Sequence, residues 1–262
     1  MNASVRHPRG APPIRLVQFS DCHVRGTPGA VYRGVDSRQT LAECLAVVRG
    51  YGPDLLIGTG DLSEDYSEAS YHYLKHVLTP VGCPFLTLPG NHDDASSQQR
   101  IMVHCPVDRA LVHDVGSWRL VLLNSAVSGE VPGSLSREML SSLETALGSR
   151  PGPKAVFLHH QPLPVGSPWI DRYALKHPER LWEVLDAASD IQLVAWGHIH
   201  QPFTAVRNKV RLLGSPSTAV NSLPGREKLT PDPRGPACRW LELADDGSFE
   251  TGVLGKGWSE DV

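Results

Sequence analysis

No apolar run in this 262-residue chain approaches the roughly 18 residues needed to cross a bilayer, so no membrane span is expected. Its five cysteines (Cys22, Cys44, Cys83, Cys105 and Cys238) are odd in number, scattered, and not spaced as zinc pairs. That argues against a disulfide framework and for a reducing cytoplasm. Excess charge is also lacking. Lys and Arg total 25 against 28 Asp and Glu, a formal net charge of -3, which gives no reason to expect a nucleic-acid partner. Met1 to Pro13 carry Arg6, His7 and Arg9 but no apolar core of a signal peptide, and they read as a flexible tail. Without an internal repeat, charge block or composition shift, residues 14–262 are expected to form one domain with a substantial core.

What the chain does have is histidine, 12 in all, and at least five of them lie in short polar cassettes. The cassettes are Asp21-Cys22-His23, Gly60-Asp61, Gly90-Asn91-His92-Asp93, His159-His160 and Gly197-His198-Ile199-His200. Each follows an apolar run: Ile14 to Phe19, Leu55 to Ile57, Phe85 to Leu88, Ala155 to Leu158, and Ile191 to Trp196. Between these runs, helical stripes are expected at Leu41, Cys44, Leu45 and Val48, over Ser67 to Val77, over Ser136 to Leu147, and after Pro178. Alternating strands and helices are the signature of an α/β sheet, in which functional groups collect beyond the carboxyl ends of the strands. After His200 the pattern changes to short strands that read as antiparallel, with a tight turn at Arg207-Asn208-Lys209 and a proline-rich loop from Leu223 to Pro236.

Asp, Asn and His bind hard to borderline divalent metals through oxygen and imidazole nitrogen. Asp21, His23, Asp61, Asn91, His159, His198 and His200 are seven such donors, too many for one tetrahedral ion and suited to two neighbouring ones. Two-metal hydrolytic sites hold their ions about 3.5–4 Å apart, so a carboxylate, Asp61 or Asp21, is expected to bridge. Such a pair attracts a phosphate and makes a bound hydroxide available near neutral pH, which implies in-line hydrolysis of a phosphoester. Donors without thiolate favour manganese or iron, with zinc as an alternative. Cys22, between two ligands in an extended segment, is expected to point away as a packed thiol. His92, by the same alternation, is expected to face substrate and protonate or stabilise the leaving oxygen. Glu64 and Asp93 are the two acids placed to orient its imidazole, and both also fit solvated turns.

At these residues the chain resembles the calcineurin-like metallophosphoesterases, and more closely the bacterial class III cyclic-nucleotide phosphodiesterases. The resemblance runs from about Leu16 to Leu243. It rests on Gly60-Asp61-Leu62-Ser63-Glu64-Asp65, Leu88-Pro89-Gly90-Asn91-His92-Asp93, His159-His160-Gln161-Pro162-Leu163-Pro164, Gly197-His198-Ile199-His200-Gln201 and Ser215-Pro216-Ser217-Thr218. It implies an α/β fold, a four-layer αββα sandwich, and hydrolysis of 3',5'-cyclic AMP. It further implies Asp21, His23, Asp61 and His200 around one iron or manganese ion, and Asp61, Asn91, His159 and His198 around a second. Catalytic work would fall to His92, Asp61 and Asn91, with His23, Asp61, Asn91, His92 and His200 contacting the phosphate. Gln161 stands where some relatives carry histidine or proline, and Glu64 where related phosphatases carry aspartate.

Two other readings use the same residues differently. A broader phosphodiesterase or phosphomonoesterase would take 2',3'-cyclic nucleotides or glycerophosphodiesters. A phosphoesterase-like scaffold that only binds a partner would ordinarily have lost ligands, and here all seven stand beside His92. Base recognition would have to come from loops such as Ser217 to Asn221 or from Phe203.

Overall fold

The computed structural model describes residues 12–258, so the tail expected over residues 1–13 falls almost wholly outside it. The first half of the chain forms β1 (Ile14–Phe19), β2 (Val31–Tyr32), β3 (Val35–Asp36), α1 (Ser37–Tyr51), β4 (Leu55–Thr59), α2 (Glu68–Leu78) and β5 (Phe85–Leu88). Then come α3 (Ala95–Met102), β6 (Leu111–Val115), β7 (Trp118–Leu122), α4 (Arg137–Gly148), β8 (Lys154–Leu158), α5 (Pro168–Asp171) and α6 (Pro178–Ala187). The remainder is β9 (Ile191–Trp196), β10 (Phe203–Arg207), β11 (Val210–Gly214), β12 (Cys238–Leu243) and β13 (Phe249–Leu254). All five apolar runs that precede cassettes are strands.

Strands β13-β12-β1-β4-β5 make one sheet and β10-β11-β9-β8-β7-β6 another. Alternation along each strand explains why the two stack. Leu16, Leu55, Ile57, Ala155, Phe157, Leu193 and Ala195 point into a shared core between the sheets. Their neighbours Val17, Phe19 and Leu56 face α1, α2 and α3 on one outer side. Val156, Leu158, Val194 and Trp196 face α4 and α6 on the other. Strands buried on both faces lose the polar half of the alternation and read as continuous apolar runs. The result is the expected four-layer αββα sandwich.

Helix starts are set by local chemistry. Asp36 accepts from the amides of Arg38 and Gln39 at the head of α1, and Ser67 and Ser136 cap α2 and α4. Pro178 sits in the first turn of α6, where its missing N–H has no partner to lose.

The late strands pair antiparallel as expected, β10 with β11, β12 with β13 and β12 with β1; the departure is β11, which runs parallel to β9. Each hairpin extends one sheet at its edge. The turn between β10 and β11 is Asn208-Lys209, with φ of 49° and 73°, the left-handed pair a two-residue hairpin needs. The Leu223–Pro236 loop folds back on itself, with Leu223 N donating to Thr230 O at 2.8 Å and Asp232 N to Asn221 O at 2.9 Å.

Candidate metal centre

Strands β1, β4 and β5 run parallel in one sheet, and β8 and β9 run parallel in the other. Their carboxyl ends therefore release all five cassettes at one rim of the sandwich. Gln18 joins the two sheets there, its Nε2 donating to Thr59 Oγ1 at 2.9 Å and to Trp196 O at 3.1 Å.

The chain then turns sharply at the donors. Asp21, His23, Asp61, His198 and His200 have φ of 52°, 45°, 50°, 66° and 50°. Left-handed backbone is uncommon outside glycine, and a cluster of five at one place is strain held by its surroundings. It also replaces the extended geometry expected for Asp21-Cys22-His23. Cys22 is fully buried against the α1 side of the sheet, as a packed thiol, but because of the turns on either side of it. His92 lies in a turn closed by Asp93 N donating to Gly90 O at 3.2 Å. Gly90 permits the approach that follows, since a Cβ there would overlap Asp61 Oδ1 and the Asp61 amide.

The seven expected ligands come together. Asp61 Oδ1 lies 3.4 Å from His159 Nε2, and its Oδ2 lies 3.9 Å from His23 Nε2, so the two oxygens look in two directions. On the first side, His200 Nε2 is 3.3 Å from Asp21 Oδ1 and 3.3 Å from His23 Nε2. On the second, His159 Nε2 is 3.1 Å from His198 Nδ1 and 3.3 Å from Asn91 Oδ1. Asp21, His23, Asp61, His159, His198 and His200 are all buried.

Tautomers show what this arrangement can hold. His23 Nδ1 meets Glu64 Oε2 at 2.8 Å, and His159 Nδ1 meets Thr59 O at 2.8 Å. His198 Nε2 meets Tyr173 O at 3.2 Å, and His200 Nδ1 meets Val220 O at 2.7 Å. A carbonyl or carboxylate only accepts, so each outer nitrogen carries a proton, and each ring in its neutral form turns a lone pair inward. Four lone pairs facing two carboxylates and an amide oxygen fit a pair of divalent cations, and the outer hydrogen bonds are the kind that orient metal-bound histidines. Burial would push Asp61 toward its acid form, but positive charge on His159, His23 and His92 outweighs it and holds the carboxyl well below its usual range, so the pocket favours positive charge beside this carboxylate.

His160 takes no part. Its Nε2 donates to Val131 O at 3.0 Å and its Nδ1 meets Ser125 Oγ at 2.8 Å, so both nitrogens are engaged away from the centre. Burial beside His159 pushes it down to about 3. Gln161 acts at one remove: its Nε2 holds Ile170 O at 2.9 Å and its carbonyl takes Leu175 N at 3.0 Å, fixing the segment that offers Tyr173 O to His198.

His92 stands at the open side, its side chain 35% exposed, with Nδ1 3.2 Å from Glu64 Oε2. Its backbone N–H donates to Asp61 Oδ1 at 2.8 Å. Glu64 is thus the acid beside it. Burial disfavours the Glu64 carboxylate, but its bonds to His23 and His92 outweigh that and hold it at about 2. Asp93 is spent on the amides of Leu62, Ser63 and Gly90, at 3.1, 2.9 and 2.9 Å. The Ser217–Asn221 loop is buried scaffold: Ser217 Oγ donates to Asp21 O at 2.8 Å and Thr218 N to Ser20 O at 3.1 Å. Phe203 packs on Trp196, ring centres 5.8 Å apart, half-buried against the core under the second sheet.

Residues 14–202 match the family described as calcineurin-like phosphoesterase. The chain is 39% identical over 244 residues to the 3',5'-cyclic adenosine monophosphate phosphodiesterase CpdA of Pseudomonas aeruginosa, covering 92% of this chain and 89% of that one. It is 35% identical to a 3',5'-cyclic-nucleotide phosphodiesterase of Nostoc sp., covering 92% of each. In fold it is similar to the crystal structure of a dimetal phosphatase from Danio rerio, with a TM-score of 0.71 at 14% identity over 93% of this chain and 96% of that one.

Proposed function

The chain belongs to the calcineurin-like phosphoesterase family, and within it we propose a metal-dependent phosphodiesterase that hydrolyses 3',5'-cyclic AMP to 5'-AMP. The observation that carries this reading is the inward convergence of four imidazole lone pairs on Asp21, Asp61 and Asn91, in a chain alike over nearly its whole length to enzymes named for that substrate. Asp21, His23, Asp61 and His200 would hold one ion and Asp61, Asn91, His159 and His198 the other, Asp61 serving both. When bound, two divalent ions would neutralise the phosphate and lower the pKa of the attacking water.

The protein's own groups do the rest. His23, Asp61, Asn91, His92 and His200 surround the place where the phosphate would sit. In-line attack of water on phosphorus breaks the bond to the 3'-oxygen, and that oxygen leaves as an alkoxide in need of a proton. His92, with Nδ1 engaged by Glu64, has Nε2 left to donate it. Burial lowers the proton affinity of this imidazole, but the Glu64 hydrogen bond and the Asp61 charge more than offset it, so it is raised above the ordinary histidine value. That suits an acid.

The donor set of oxygen and imidazole nitrogen supports iron or manganese, with zinc as the alternative. The five cysteines are free thiols, which supports a cytoplasmic setting. Residues 14–262 serve as one catalytic unit in this reading. The test is turnover of cyclic AMP, cyclic GMP, a 2',3'-cyclic nucleotide and a phosphomonoester under identical conditions on protein reconstituted with manganese. Preference for cyclic AMP is expected; faster turnover of the 2',3'-cyclic nucleotide or the monoester would overturn the substrate assignment.

A further inference from the structure

The four ligand imidazoles are not held by one kind of support. His159 and His198 are tied to Thr59 O at the end of β4 and to Tyr173 O, whose side chain packs on the large core beneath the second sheet. His23 and His200 adjoin a small separate apolar cluster of Tyr32, Ala219 and Val220, with Val35 and Leu229 packed against it, and His200 also meets the edge of Trp169, ring centres 6.0 Å apart. Tyr32, from the β2–β3 hairpin, lies flat on the His23 ring, with centroids 3.9 Å apart and planes inclined by 10°. Its hydroxyl accepts from Arg33 Nε at 3.0 Å. Val220 supplies the carbonyl that takes the His200 Nδ1–H, and Ser222 N donates to His200 O at 2.7 Å. Leu229 comes from the back-folded proline-rich loop and packs against this cluster.

We infer that this satellite cluster is a positioning device for one of the two metal positions. Tyr32 and Leu229 hold the His23 and His200 rings and thereby set how tightly the ion at Asp21, His23 and His200 is kept, with no matching effect on the ion at Asn91, His159 and His198. This rests on the paired-metal reading above. The physical reason is preorganisation: a ligand ring free to turn must be ordered again each time an ion binds, and that cost weakens retention. Because the cluster lies outside the three large cores, thinning it loosens one side of the centre alone. It also assigns work to a loop whose sequence shows only prolines.

The experiment loads apo-protein with two molar equivalents of Zn²⁺ and follows release to a chromogenic chelator. The unsubstituted protein, Leu229→Ala, Tyr32→Leu and Tyr32→Phe are compared, and His198→Ala identifies the phase that belongs to the Asp21 side. Two phases are expected, with the Asp21-side phase about tenfold faster in Leu229→Ala and Tyr32→Leu and the other phase unchanged. Tyr32→Phe keeps the stacked ring and should release like the unsubstituted protein. Acceleration of both phases together, of neither, or equally in Tyr32→Phe and Tyr32→Leu would overturn the proposal. Thermal melting of each apo form shows that it is folded, and if Tyr32→Leu is not, Leu229→Ala decides. Uptake of a single ion by the unsubstituted protein would instead overturn the paired-metal reading, and this proposal with it.

Discussion

Glu64 joins His23 to His92: one carboxylate oxygen, Oε2, lies 2.8 Å from His23 Nδ1 and 3.2 Å from His92 Nδ1. A proposed metal ligand and the group proposed to face the substrate are therefore aimed by the same atom. Replacing it with an amide keeps the shape and removes the charge. Glu64→Gln is expected to lower kcat on cyclic AMP by about 10–100-fold, the usual loss when a partner that orients a ligand is removed. Steady-state kinetics check this, and an unchanged kcat would remove Glu64 from the mechanism.

His92→Ala tests the leaving-group role. Loss of a general acid costs about 10²–10⁴-fold in rate, so kcat on cyclic AMP should fall by that order. The nitrophenolate of a nitrophenyl phosphodiester leaves without protonation, so turnover of that substrate should fall far less. Metal content by elemental analysis should stay at the unsubstituted level, because His92 lies outside both proposed ligand sets. Equal losses on the two substrates would argue for a phosphate-binding role alone.

Asp61→Asn tests the bridge. Its two oxygens address His159 and His23 separately, at 3.4 and 3.9 Å, so one substitution should weaken retention of both ions. Asn91→Ala, by contrast, should weaken only the ion beside His159 and His198. Titration of apo-protein with Mn²⁺, read by calorimetry, separates the two. Two intact binding steps in Asp61→Asn would contradict a bridging carboxylate.

Gly90→Ala tests the close approach of two cassettes. The added methyl would overlap Asp61 Oδ1 and the Asp61 amide, and overpacking of this kind costs about 1–3 kcal/mol. Denaturant unfolding of the apo-protein should show that loss, accompanied by weaker Mn²⁺ uptake. Full stability would mean that the Gly60-Asp61 turn can move aside.

The strands bearing the cassettes are legible in the sequence because both their faces are buried, which leaves unbroken apolar runs such as Lys154–Leu158 behind a single polar residue. Strand β6 is not legible, since it lies at a sheet edge and its Val112 and Asp114 face water. Helix α3 hides for a related reason: Ala95–Met102 is mostly polar and offers only Ile101 and Met102 as apolar anchors. At the centre the seven donors are legible as residue types at strand ends. Their supports are not, because Thr59, Tyr173 and Val220 act through backbone carbonyls that every residue carries. Tyr32 stacks on His23 from a two-residue strand too short to leave a pattern.

Asp21, His23, Asp61 and Asn91 descend from one sheet and His159, His198 and His200 from the other, and each proposed metal position draws on both. Cations seated there would rivet the two halves of the sandwich along one seam. Melting temperature should then climb with free metal concentration, as linkage requires for anything that binds only the folded form. Starved of metal, the protein would be expected to open first at the rim where its chemistry takes place.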